Sequence, residues 1–122
     1  MSQSSKVLKE VGELKAGKVS YGSAETIVGA GSGKQEISLD TVVTLLDNNA
    51  TADLYLGKPG VSGQGTMKIL ICTDASAAAT LDNGDVEGGM IPNSSLVFDS
   101  TGDSATLVYS GTKWYVINNN IA

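Results

Sequence analysis

The sequence predicts an all-β domain, and three observations carry that expectation. From Lys18 onward, apolar residues recur at a spacing of two, not three or four. Turn-forming clusters interrupt the chain at short intervals: Gly29-Ala30-Gly31-Ser32-Gly33, Asp47-Asn48-Asn49, Asp82-Asn83-Gly84-Asp85 and Ser100-Thr101-Gly102-Asp103. Finally, Ala105-Thr106-Leu107-Val108-Tyr109 and Lys113-Trp114-Tyr115-Val116-Ile117 flank a short turn at Gly111, the pattern of a β-hairpin. Many short strands at this spacing fit a β-sandwich or jelly-roll-like subunit.

At 122 residues the chain is one domain long. Residues 1–22 read as an N-terminal arm and 23–122 as the β-domain. In the arm, Val7, Leu8, Val11 and Leu14 fall at helical spacing behind Ser5, a candidate N-cap, while Gly12 and Gly17 oppose a helix. The arm is therefore expected to be extended or a short helix that orders on a partner.

The strands follow in order. Glu25-Thr26-Ile27-Val28 ends at the glycine loop. Ile37-Ser38-Leu39 and Val42-Val43-Thr44-Leu45-Leu46 come next, then Ala52 to Leu56, which alternates. A Gly- and Pro-containing loop spans Gly57 to Gly65. Thr66 to Thr73 is the longest apolar run and is expected to be a central strand buried on both faces. Ala77 to Leu81 is a weak strand, Met90-Ile91 a short one stopped by Pro92, and Ser95 to Phe98 leads into the hairpin.

Composition excludes much chemistry. All eight basic residues are Lys, so there is neither His nor Arg. The usual general base, the commonest metal ligand and the bidentate phosphate fork are absent. With 13 acidic residues the net charge is −5, which opposes nucleic-acid binding. No apolar stretch approaches the ~18–20 residues of a membrane span, and the charged N-terminus does not read as a secretory signal. Cys72 is alone in an apolar run and reads as a buried, inert thiol.

Several motifs invite chemistry and fail on detail. Gly29 to Gln35 lacks the first glycine of a phosphate loop, because Val28 occupies its place, and the Ser or Thr after Lys34 is Gln35. Gly31-Ser32-Gly33 and Val61-Ser62-Gly63 are not set between a strand and a helix as a nucleophile elbow would be. Asp82, Asp85 and Glu87, and likewise Asp99 and Asp103, could pair as glycosidase carboxylates, but they read as solvated turn residues. Asp82 to Glu87 offers oxygen ligands without an EF-hand loop, so no metal or other cofactor is expected. Trp114 reads as a core or subunit-interface plug.

The segment Gly102-Asp103-Ser104-Ala105-Thr106-Leu107-Val108-Tyr109-Ser110-Gly111-Thr112-Lys113-Trp114-Tyr115-Val116 resembles the closing hairpin of small trimeric β-rich modules in bacteriophage and viral virion proteins. The order of elements upstream, from about residue 36, is similar; Ser110 replaces an Asp common in that pattern, and residues 1–35 match nothing in it. The resemblance implies a non-enzymatic structural protein of the virion, with no catalytic residues. The expected function is a capsid decoration or cement protein, a homotrimer on the head surface bound to the major capsid protein or another virion protein. Leu107, Trp114, Tyr115 and Val116 are expected in the core and trimer interface, and Val7, Leu8, Val11 and Leu14 in capsid docking. The alternative is a tail-fibre or knob module that recognises a host glycan through Tyr55 or the Gly57–Gly65 loop.

Overall fold

The computed structural model describes residues 24–60 and 63–121. The arm, with Val7, Leu8, Val11 and Leu14, lies outside the described residues. The strands are β1 (Glu25–Val28), β2 (Lys34–Glu36), β3 (Val43–Asp47), β4 (Ala52–Tyr55), β5 (Met67–Asp74), β6 (Ala79–Leu81), β7 (Met90–Ile91), β8 (Leu96–Phe98), β9 (Ser104–Ser110) and β10 (Lys113–Asn120). They form a six-stranded sheet, ordered β1-β3-β5-β9-β10-β7, and a four-stranded sheet, ordered β2-β4-β6-β8. The all-β expectation holds among the described residues.

From β1 to β9 successive strands alternate between the two sheets, so each turn of chain from β1 to β6 adds one strand to both. Within these stacked turns the pairings β1–β3, β3–β5, β2–β4 and β4–β6 are all parallel. Parallel neighbours need a long crossover, and here a strand of the opposite sheet supplies it. Glu25 pairs with Thr44 and Lys34 with Asp53, both 19 residues further on. The next turn is longer because it carries the Gly57–Gly65 loop.

Hydrogen bonds continue the stacking around the corners. The Gly29 and Gly31 amides donate to the Asp47 and Thr51 carbonyls at 3.0 and 2.8 Å. One turn on, the Asn48 amide donates to the Asp74 carbonyl at 2.9 Å. At the opposite corner the Ile37 amide donates to the Tyr55 carbonyl at 2.8 Å, and Leu56 to Asp85 at 3.0 Å. Only glycine fits at position 29, where a Cβ would lie 1.8 Å from the Ala50 carbonyl oxygen.

The closing end is built differently. β9 pairs antiparallel with β5, β10 antiparallel with β9, and β8 antiparallel with β6, while β7 runs parallel to β10. Ser110 pairs with Lys113, leaving Gly111 and Thr112 as a two-residue turn. Gly111 has φ 69° and Thr112 does not share the positive φ, as a hairpin with glycine at its first central position requires.

Inward residues of both sheets form one hydrophobic core. Ile27, Leu46, Leu70 and Leu107 come from the larger sheet, and Leu54, Leu81, Leu96 and Phe98 from the smaller. Trp114 is fully buried and donates its indole N–H to the Gly57 carbonyl at 3.0 Å, tying the hairpin to the long loop. Two sequence expectations change. The strand read at Ile37–Leu39 lies instead at Lys34–Glu36, and Ile37 becomes a buried corner residue. β5 is central, but its burial alternates, so only one of its faces is fully covered.

Candidate interaction face

The alternation in β5 defines the most distinctive surface of the molecule. Side chains alternate across a strand, so residues paired in register share a face. Opposite the core, Met67 sits beside Val108, Val108 beside Tyr115, and Tyr115 beside Ile91. A second row joins Val43, Ile69 and Thr106. A third joins Thr26, Leu45, Ile71 and Ser104. Met67, Tyr115 and Ile91 are 41%, 40% and 42% exposed, and Val43, Leu45, Ile69, Ile71 and Val108 are half-buried. Val42, Val43, Gly65, Met67 and Ile69 line an apolar depression of about 380 Å³ at its edge.

The outer side of the smaller sheet is the reverse. Its rows hold Lys34, Asp53, Thr80 and Val97, and then Glu36 and Tyr55. The Lys34 ammonium donates to Asp53 at 2.7 Å and to Asp85 at 2.6 Å, and this pairing raises its pKa. The outer side of the smaller sheet is thus charged across its rows, whereas the central rows of the larger sheet are apolar and its charges, Asp47 and Asp74 paired beside Val28 and Lys113 paired with Ser110, sit at the strand ends.

The four residues predicted for core and interface are divided by the fold. Leu107 and Trp114 are buried in the core, and Val116 packs against it. Tyr115 alone points outward, into the apolar rows. Sequence reasoning missed Val43, Leu45, Ile69 and Ile71 as surface residues. Their signal was present in the runs Val42–Leu46 and Met67–Cys72, which are apolar at both odd and even positions.

The titratable groups offer structure more than chemistry. Asp53, Asp82 and Asp85 present carboxylate oxygens within 4.8 Å of one another, with Lys34 bonded to two of them. Asp103, expected as a solvated turn carboxylate, is instead buried. Its oxygen accepts the Asp99 and Ser100 amides at 3.1 and 3.0 Å, because a tight turn folds those donors inward. Cys72 is buried as expected, and burial pushes its thiol pKa up, away from the reactive thiolate. Lys68 is buried too and donates to the Thr41 carbonyl at 2.6 Å; burial lowers its pKa, opposed by the charge of Glu25.

A second concavity, about 510 Å³, is lined by Glu25, Glu36, Ser38, Tyr55, Lys58 and Glu87 among others. The Tyr55 hydroxyl donates to Glu87 at 3.0 Å within it. No protein-family model matches this chain, and the search of curated proteins returns no match.

Proposed function

We propose that the chain is a structural protein of a bacteriophage or viral particle: a capsid decoration or cement protein that assembles as a homotrimer on the head surface. Its subunit would be a β-sandwich of the two mixed sheets. The observation that carries this reading is the run of apolar central rows on the outer face of the six-stranded sheet in a chain of net charge −5. Contiguous apolar patches of this kind mark surfaces that are covered in the working assembly. The charged outer side of the other sheet suits a surface turned to solvent. The closing hairpin, whose sequence resembles virion modules, supplies β9 and β10 to that apolar face. Light scattering of the purified chain at micromolar concentration is expected to give three times the subunit mass, and electron microscopy of labelled virions to find many copies over the head. A monomer, or no copies on particles, overturns the proposal.

The concavity beside Tyr55 favours a second reading, a tail-fibre or knob module that binds host glycan. A tyrosine ring with carboxylates around it can stack on a sugar and accept its hydroxyls. That reading expects a few copies at the tail and loss of glycan binding in Tyr55→Ala, with assembly unchanged.

A further inference from the structure

We infer that the outer face of the six-stranded sheet is buried against the same face of other copies of this chain, gathered round a common axis. The inference deepens the assembly reading above and rests on it for the number of copies.

The occupant follows from charge first. Across the central rows of β3, β5, β9 and β10 the outward residues Val43, Leu45, Met67, Ile69, Ile71, Val108 and Tyr115 carry no charge; Asp47, Asp74 and Lys113 bound them at the strand ends. Two copies of a chain at −5 repel across most of their surfaces. The central rows of this face are where they can approach without setting like charges in contact, and where desolvation costs least. An oppositely charged partner would find nothing in those central rows to pair with.

Geometry then fits three copies. Strands lie ~4.8 Å apart, so the four central strands, β3, β5, β9 and β10, span roughly 19 Å. Three flat faces of that width close into a triangular prism whose sides stand about 5–6 Å from the axis. That is close to half of the ~10 Å at which packed sheets interdigitate. The side chains of three copies therefore meet at the axis without a large void. All six strands would set the sides about 8 Å out and leave a hollow. Asn118 and Asn120, paired with Thr106 and Ser104, give this face an uncharged polar rim.

The test uses the full chain. Met67→Lys with Tyr115→Lys places charges on the face at positions about 40% exposed in the subunit. Val97→Lys is the control, because Val97 is 38% exposed on the opposite sheet. Sedimentation equilibrium is expected to show association weakened at least tenfold in the face variant and unchanged in the control. Single Tyr115→Cys and Val97→Cys variants give a second readout: a short bis-maleimide is expected to join copies through position 115 and not through 97. A face variant that melts normally yet stays assembled, with no cross-link at 115, overturns the inference and leaves the trimer standing. A face-dependent dimer keeps self-association through the face but overturns the shared axis and the trimer. A face-dependent trimer absent from virions keeps the inference and overturns the virion reading.

Discussion

Tyr109 and Trp114 face each other across the closing hairpin, with ring centroids 5.3 Å apart and planes inclined at 63°. They are register partners in β9 and β10, and both are buried. The edge-to-face contact adds about 0.5–1.5 kcal/mol to their burial. Trp114→Ala is therefore expected to cost about 3–5 kcal/mol in urea unfolding. Trp114→Phe keeps much of the contact but orphans the Gly57 carbonyl, and is expected to cost less, about 1–3 kcal/mol.

Gly29 and Gly84 separate two uses of glycine. A Cβ at Gly29 collides with the Ala50 backbone, whereas one at Gly84 meets nothing within 4 Å. Gly29→Ala is expected to destabilise by about 1–3 kcal/mol, since stacked turns must move apart. Gly84→Ala is expected to stay within about 0.5 kcal/mol of the parent. Thermal melts of the two variants check the difference.

Asp103 closes the turn before β9 by accepting the Asp99 and Ser100 amides. Asp103→Ala removes that acceptor and is expected to cost about 1–3 kcal/mol. Asp103→Asn keeps one amide oxygen in place and is expected to recover at least half of the loss. Denaturant midpoints measured side by side decide this.

Lys68 gives the fold an alkaline signature. Burial lowers its pKa below the ordinary 10.5, so between its folded value and 10.5 the unfolded chain holds more protons. Raising the pH through that window favours the fold. The buried Cys72 thiol, raised above its ordinary 9.0, pulls the other way as pH climbs past that value. The Lys68 contribution is read as the parent minus Lys68→Met, and that difference is expected to rise with pH up to about 10.5. At pH 7 the substitution, which keeps most of the volume, is expected to change stability by less than about 1.5 kcal/mol. A flat difference across the window refutes the assignment.

The hairpin was legible because its signal is local: two β-rich runs and a glycine turn lie within 17 residues of each other, from Ser104 to Asn120. The parallel stacking was not. Glu25 finds Thr44 only through an intervening strand, and no residue between them marks the direction of the pairing. β2 was missed for another reason: Lys34, Gln35 and Glu36 carry no apolar alternation, and the strand exists through backbone pairing with β4. Asp103 shows the limit at single residues, since a turn aspartate looks the same in sequence whether it faces solvent or its own backbone. The apolar face was half legible. The runs in β3 and β5 announced two covered sides, but only the fold shows which side the molecule itself leaves open.

Because each turn of chain lays one strand in both sheets, the molecule has a natural unit of growth. Duplicating a 19-residue stretch such as that from Glu25 to Val43 would widen both walls together and leave the capping hairpin untouched. Losing one would narrow them in step. A lineage built this way could tune the breadth of its hydrocarbon wall, and with it the number of copies that close around an axis, by adding or deleting whole storeys.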